Sequence, residues 1–548
     1  MKYSLIFISF IIVMLWGCRS HAGPEGYFVR PCEFICDYPF NDTTKWAITC
    51  RVWGLLKYYH PNVTAGKLDW DKVLLDRMVD INYSSTPEMV NVELAKMLVA
   101  AGEYTGKKDN DWNDSLNMNM NLCWLDNSFL DKTLINELKK IASLTVKFPA
   151  YYRIDYENPM LPNEKGYKVD INTSYKHRLL SLFRYWNVIY YFFPHKYLMD
   201  QSWDKTLTMS IFPFIHAADI QSYQIAFLKL AAALNDGHGY ISFANYYRAE
   251  ALNTIEMIDG QTVITVDAGG LLPGDIIDVI QGRNINHIRD SLSVLIPAST
   301  QLNKEFRINS YVAEIIFFNK PDIVISRNGQ PIKIQMPFVD FEKQKPGLYR
   351  WISDDIAYVD FSVLTKQGID SVFHALSNVT CIIFDIRKGV DQSYDAELFG
   401  GYLSNKNTRL FPTVLPHPEH PGAFVLIDDF QASSKDTRGR RLYKGKIVYL
   451  IDENTQSATE TVAFVGRTNY QAILIGRPTS GALGRVTWIP LPGNQRAAFS
   501  NFGLFSLDGT EFQRKGIIPD IEVYPTMESV REGKDEILEA AIEYLNTQ

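Results

Sequence analysis

IVYLIDENTQSATETVAF, residues 447–464, decides the fold. An apolar run from Ile447 to Ile451 stops at Asp452-Glu453-Asn454-Thr455-Gln456. Ser457-Ala458-Thr459-Glu460 then opens a stretch with helical spacing. A buried strand therefore ends abruptly and hands over to a helix with a small serine at its first turn. One reading makes Ser457 an N-cap, since serine oxygens accept the unpaired N–H groups there. The other makes it a chemical group held at the positive end of a helix. The surrounding chain has to decide between them.

Alternation of strand and helix surrounds this stretch. IAYVDFSV (356–363) and CIIFDIR (381–387) read as strands, and QAILIGRP (471–478) as another. KQGIDSVFHALSN (366–378), DAELFGGYLSN (395–405) and the segment after Ser457 read as helices. Such alternation predicts an α/β layer with buried strands. Upstream, residues 246–345 read as short strands and turns. Within them GLLPGDIIDVIQGRNIN (270–286) resembles the loop-strand signature of PDZ domains, which accept an extended peptide as an added strand.

Further upstream the chain repeats itself. RVWGLLKYYHP (51–61) and RYWNVIYYFFP (184–194) share an offset of 133, which also relates Trp70-Asp71-Lys72 to Trp203-Asp204-Lys205. Helical periodicity in both copies predicts two related helical units, 44–145 and 174–245, joined by a linker over 146–173. The second copy ends in Asp236-Gly237-His238-Gly239, and the first has Thr105 opposite His238. A glycine-flanked turn presents its histidine, so His238 is a candidate functional residue.

The N-terminus reads as an export signal. Lys2 precedes an apolar core, Leu5 to Trp16, too short to span a bilayer. Leu15-Trp16-Gly17-Cys18 resembles a bacterial lipobox, which implies a signal peptide over 1–17, lipid on Cys18 and a tether over 18–43. The expected location is the cell envelope, at the periplasmic face or the surface. With 548 residues, 46% hydrophobic, the chain has material for several domains, and a net charge of −7 without basic runs excludes nucleic acid as a partner. The spacing allows one disulfide among Cys32, Cys36 and Cys50, while Cys381 reads as a buried free thiol. No cysteine pair has zinc spacing. His417-Pro418-Glu419-His420-Pro421 reads as a loop rather than a metal site, and the run Asp109 to Asp114 lacks the glycine and glutamate of a calcium loop. No metal or cofactor is expected.

The order of landmarks is Asp236-Gly237-His238, the PDZ-like module, Phe384-Asp385-Ile386-Arg387, IDENTQSATE (451–460) and LDGTEFQRKGIIPDIEV (507–523). In that order they resemble the tail-specific, or C-terminal processing, serine peptidases, in the tricorn-core and retinoid-binding-protein-like branch. The resemblance covers about 180–526 and implies a crotonase/Clp-protease-like α/β core over 346–548, with Ser457 as nucleophile. Many members use a lysine base some 25 residues after the serine. Here that turn reads Thr479-Ser480-Gly481-Ala482-Leu483-Gly484-Arg485. Arg477 and Arg485 do not deprotonate, so a Ser/Lys dyad is excluded. The tricorn-like pattern implies a histidine, and His238 stands in its place. It also implies oxyanion donors at Ala458 N–H and at the turn Lys388-Gly389-Val390-Asp391, where Gly389 is the candidate. Its orienting glutamate is replaced by Gln513, with Glu511 and Asp236 as nearby carboxylates, and its serine before the histidine is Gly237.

The implied function is a serine endopeptidase for extended or unfolded peptides at the envelope, with polypeptides and a membrane, through lipid, as partners. A rival reading is a degenerate peptidase-like lipoprotein that binds peptides or small ligands without cleaving them. A polysaccharide-handling lipoprotein has only the aromatic helices in its favour.

Overall fold

The computed structural model describes residues 37–547, apart from 38, 107–118, 148, 156–157, 173, 244–252, 340–345, 406–407, 433–439 and 507. Cys18, Cys32, Cys36 and the Asp109–Asp114 run lie outside the described residues.

Six helices frame the first layer, and a further helix, Lys132–Ala142, packs into the same apolar cluster. The six are α1 (Asp42–Tyr59), α2 (Trp70–Tyr83), α3 (Pro87–Ala101), α4 (Tyr175–Phe192), α5 (Trp203–Ile215) and α6 (Ile220–Ala232). Local chemistry sets their starts. Asn41 accepts the N–H groups of Thr43 and Thr44, Thr86 caps α3 with Pro87 following it, and Asp219 caps α6. The repeated tryptophans do the same work in both copies. Trp53 Nε1–H donates to Trp70 O at 3.2 Å and Trp70 Nε1–H to Trp53 O at 3.0 Å. Trp186 and Trp203 make the same exchange at 2.9 and 3.0 Å. Each indole buries its apolar body and spends its one polar atom on a neighbouring carbonyl.

The copies are joined crosswise. Arg184 of the second copy pairs with Asp71 of the first at 2.6 Å, and Arg51 of the first with Asp204 of the second. All four side chains are buried. Arg184 also meets Glu164, which Lys57 pairs at 2.7 Å. Where α1 and α4 cross, Gly54 leaves room for Asn187: a Cβ at Gly54 would sit 1.8 Å from Asn187 Oδ1. Asn187 Nδ2–H uses that space to reach Cys50 O and Phe183 O.

After α6 comes a short strand, β1 (Ile241–Ser242). Then β2 (Ile255–Ile258), β3 (Gln261–Ile264), β4 (Ile276–Ile280), helices α7 (Ile285–Ser293) and α8 (Gln301–Phe318), β5 (Asp322–Arg327) and β6 (Gln330–Gln335) follow. The strands form one antiparallel sheet in the order β2-β3-β4-β5-β6. The reading of 246–345 as strands and turns missed α8, which is 18 residues long. Ile308, Val312, Ala313, Ile316 and Phe317 bury one of its faces, and Thr300 caps it. In the Pro273-Gly274-Asp275 turn, buried Asp275 accepts Leu272 N–H and pairs with Arg327.

The last layer holds β7 (Tyr349–Trp351), β8 (Ile356–Asp360), β9 (Cys381–Asp385), β10 (Thr408–Pro416), β11 (Phe424–Ala432), β12 (Lys446–Ile451), α9 (Ala458–Tyr470), β13 (Ile473–Gly476), β14 (Val486–Leu491), β15 (Gln495–Ser500), β16 (Gly503–Leu504) and β17 (Ile521–Glu522). The main sheet runs β7-β8-β9-β12-β13-β17, parallel from β8 onward. Its central strands are buried on both faces, as crossover helices require. Two smaller sheets, β11-β10-β16 and β14-β15-β1, flank it. Through β1 the helical layer donates a strand to the core's own hairpin. Ile489, Leu491, Ala497 and Phe499 of that hairpin belong to the apolar cluster of the helices.

Cys381 is a buried free thiol, as its apolar run suggested. Cys50 is also buried and free, so it takes no part in the disulfide considered for it, while Cys123 is disulfide-bonded. Cys50 sits mid-helix at the α1–α4 crossing, packed against Asn187. Among the described residues no helix is long and apolar enough to cross a membrane.

Breaking a buried ion pair strands a charge, whereas an exposed pair is screened by water. Arg184→Ala should therefore lower stability by about 3–5 kcal/mol. Lys72→Ala, which removes an exposed pair with Asp76, should change it by less than about 1 kcal/mol. Thermal melting of both variants beside the parent protein is the measurement.

Candidate active site

β12 delivers the chain to the site. Beyond Ile451, Asp452 Oδ1 accepts the N–H groups of Asn454 and Thr455, which tightens the turn. Asn454 Nδ2–H reaches Arg387 O at 2.7 Å and ties this turn to the end of β9. Ser457 follows with φ +59° and ψ −114°, a backbone region that side chains seldom occupy and that costs on the order of 1–3 kcal/mol. Ser457 and Glu460 form a capping box at the start of α9, and the serine hydroxyl also has a partner outside the helix. It donates to Gly484 O at 3.2 Å.

What holds the strained backbone is Glu460. Its carboxylate is fully buried and accepts from Ser457 N–H at 3.0 Å, Thr479 Oγ1–H at 2.6 Å, Ser480 Oγ–H at 3.3 Å, Gly481 N–H at 2.9 Å and Ala482 N–H at 3.2 Å. Burial pushes its pKa up, and these hydrogen bonds pull it back. One carboxylate thus fixes both the serine and the 479–482 loop that leads to Gly484.

His238 comes from the helical layer, on the turn after α6. Asp236 Oδ1 accepts His238 N–H at 3.1 Å, and Gly237 N–H donates to Ser299 Oγ at 2.7 Å. A side chain at 237 would press against Ala482, 2.8 Å from an added Cβ, so glycine is what lets the turn lie on the serine's loop. The imidazole is almost fully buried. Its Nδ1 lies 2.8 Å from Ser500 Oγ, and Ser500 donates its own hydrogen to Asp236 Oδ1 at 2.8 Å. A hydroxyl has one hydrogen, so Ser500 accepts from His238, Nδ1 carries the proton, and Nε2 presents a lone pair. Burial pushes the pKa of His238 down; Asp236 opposes this and Arg307 adds to it. The ring is therefore neutral at neutral pH.

The β14–β15 hairpin joins the two halves. Gly484, at its entry, holds the serine hydroxyl; Ser500, at its end, holds the histidine; and Val486 faces Ser500 in the register. Paired residues in such a ladder stand about 5 Å apart. A second tie runs directly between the loops, from Gln456 Nε2–H to Gly237 O at 3.2 Å. Arg307 braces it by donating to both Gly237 O and Gln456 Oε1. Among the described residues no hydrogen bond joins Ser457 and His238 themselves.

The other candidates divide. Ala458 is exposed at the first turn of α9, where backbone N–H groups have no partner within the helix. With Ser457 it lines a pocket of about 440 Å³. Gly389 N–H donates to Ile386 O at 3.2 Å, closing its own turn, so it does not point a free donor at the serine. Gln513 reaches Asp236 Oδ1 at 3.2 Å and Ser299 at 3.3 Å as a donor, one residue removed from the histidine. Glu511 is elsewhere, accepting from Tyr197 and facing His195 at 3.4 Å. Sequence reasoning missed Ser500, which reads as an ordinary strand end in AAFSN. Among the described residues no cluster of three His, Cys, Asp or Glu side chains suits a metal ion.

A carboxylate with five donors tolerates no neutral replacement. Glu460→Ala should lower stability by more than about 3 kcal/mol and release the 479–484 loop. Hydrogen exchange at the amides of Gly481 and Ala482, which should become much faster, is the check.

Residues 355–523 match the model of peptidase family S41. Mature CPAF complexed with lactacystin superposes with a TM-score of 0.54 at 11% identity, over 68% of this chain and 98% of that one. A putative peptidase from Parabacteroides merdae aligns with a TM-score of 0.44 at 18% identity, over 68% of this chain and 97% of that one. The core that carries Ser457 thus matches the tail-specific peptidases of family S41, and that match supports a serine-type peptidase.

Proposed function

We propose that this peptidase cleaves extended peptides by acyl transfer from a Ser457/His238 dyad, with Ser500 and Asp236 orienting the histidine. The observation that carries the proposal is the hairpin that holds Ser457 at Gly484 and His238 at Ser500. In this proposal the serine side chain turns from Gly484 O, its partner in the resting structure, to give its hydrogen to His238 Nε2. His238 takes the proton as Oγ bonds to the peptide carbonyl carbon. The Ala458 N–H stabilises the oxygen that becomes negative. The C–N bond then breaks and the amine leaves with the proton from His238. Water repeats the sequence and frees the acid. Gln513 supports Asp236 rather than the ring. Asp236 supplies the negative charge that steadies imidazolium, acting through the Ser500 hydroxyl. A degenerate binder has no comparable support: the tautomer that Ser500 imposes leaves Nε2 fit to be a base.

The antiparallel sheet over 255–335 fits a PDZ-like module that captures substrate as an added strand. Arg477 supports coupling of that sheet to the core. Its guanidinium pairs with Glu256 on β2 and with Glu453 beside the serine loop, at 3.1 and 2.9 Å. For location, the Leu15-Trp16-Gly17-Cys18 motif supports a lipid anchor at the bacterial cell envelope, and the substrates proposed are unfolded polypeptides there. Cys18→Ala should abolish incorporation of labelled fatty acid.

A fluorophosphonate probe should label the parent protein and not Ser457→Ala; a folded parent that resists labelling overturns the proposal. His238→Ala should lower kcat/KM on an unfolded protein substrate by roughly 10²–10⁴-fold. Ser500→Ala should lower it less, while shifting its pH dependence. The histidine's pKa is depressed, so the parent's activity should fall on acidification only below the ordinary histidine value of about 6.5. An acid limb of kcat/KM above that value would contradict the buried neutral base.

A further inference from the structure

The pocket beside the nucleophile has a chemistry that selects its occupant. Beyond Ser457 and Ala458, its wall is made by Phe411, Phe502, Leu504 and Val486, with Thr461 on the helix side. Phe411, Phe502 and Leu504 are themselves buried, so the floor is fixed by core packing. Phe411 packs on Phe464 and Phe512, which prevents its ring from swinging in to fill the space. The polar groups of the wall are already engaged. Thr461 Oγ1–H donates to Ser457 O and Thr413 Oγ1–H to Phe411 O. Among the described residues the one charged wall residue is Arg485, exposed at the mouth with its guanidinium 5.3 Å from the Phe502 ring centre. Among the described residues no carboxylate lines the pocket.

We infer that this pocket receives the side chain of the residue whose carbonyl Ser457 attacks, and that it selects a large apolar or aromatic side chain there. The inference rests on the proposed acyl transfer at Ser457. Geometry assigns the occupant. The Cβ of the attacked residue is two bonds from the reacting carbon, and that of the leaving residue is three. A cavity that shares its wall with both the nucleophile and the Ala458 N–H therefore serves the attacked residue first. Chemistry assigns the class. A volume of about 440 Å³ admits a phenylalanine or leucine side chain with room to spare. A lysine would bring its ammonium to an apolar floor with no counter-ion, past a guanidinium of like charge. An aspartate would meet Arg485 only at the mouth and would leave the floor empty.

Two peptidyl diphenyl phosphonates, identical except for a phenylalanine or a lysine side chain on the phosphonate carbon, test this on the whole protein. In the reaction Ser457 Oγ bonds to phosphorus, one phosphorus–phenoxide bond breaks, and the serine proton leaves with phenol by way of His238. The phenylalanine probe should inactivate at least about tenfold faster. Equal rates, or a faster lysine probe, overturn the pocket assignment while leaving the nucleophile in place. Silence from both probes and from a small fluorophosphonate removes the acyl-transfer reading and this inference with it. Thr461→Asp puts a carboxylate into the wall at a first-turn helix position that welcomes negative charge, so the fold is preserved. The preference for phenylalanine over lysine should shrink by about tenfold or more. An unchanged preference places the side chain elsewhere and overturns the inference.

Discussion

Glu460 is the constraint on which the site depends. A carboxylate taken wholly out of water must be met by donors, and here five groups converge on two oxygens. Four of those donors sit on consecutive residues, Thr479 to Ala482, so the acid dictates the path of that loop. The fifth is the N–H of Ser457, whose backbone would otherwise relax from its strained conformation. The same carboxylate therefore stores the strain and sets the height of Gly484, against which the hydroxyl rests.

The histidine arrives by a different route. It lies more than 200 positions earlier, on a turn whose exit strand, β1, pairs with β15. That pairing makes the helical layer a structural member of the peptidase core. Tyr240 O accepts Ala498 N–H at 2.8 Å, two residues after the histidine and two before Ser500. The register of this short ladder is what puts Ser500 opposite the ring. A slip by one residue would turn Ser500 to the other face and strip the histidine of its partner.

Much of this was legible in the sequence. Ser457 was marked by the abrupt end of an apolar run, and His238 by its contrast with Thr105 at the same offset. The strands at 356, 381, 447 and 473 announced themselves as apolar runs bounded by polar turns, and they pair in the parallel sheet. What stayed hidden depended on tertiary contact. Ser500 is a serine at a strand end until β1 brings a histidine beside it. Glu511 and Gln513 are two residues apart, yet one faces Tyr197 and the other Asp236, because Phe512 between them is buried against Phe464. Gly389 was chosen as the glycine of its turn, but its N–H closes that turn instead. Helix α8 follows a run of short strands and turns, and its buried face repeats at helical spacing.

The crossed pairs between the helical copies have a consequence of their own. Each arginine pairs with the aspartate of the other copy, so the contact is isologous: it has the form of the interface in a two-fold homodimer, sealed into one polypeptide. Within one polypeptide the two halves need not be identical. Gly54 and Asn187 are equivalent positions on the pseudo-axis, where two asparagines would collide and two glycines would leave a hole. A true dimer cannot place different residues there; a covalent one can. The same licence lets one half carry the histidine turn while its twin has Thr105 in that place.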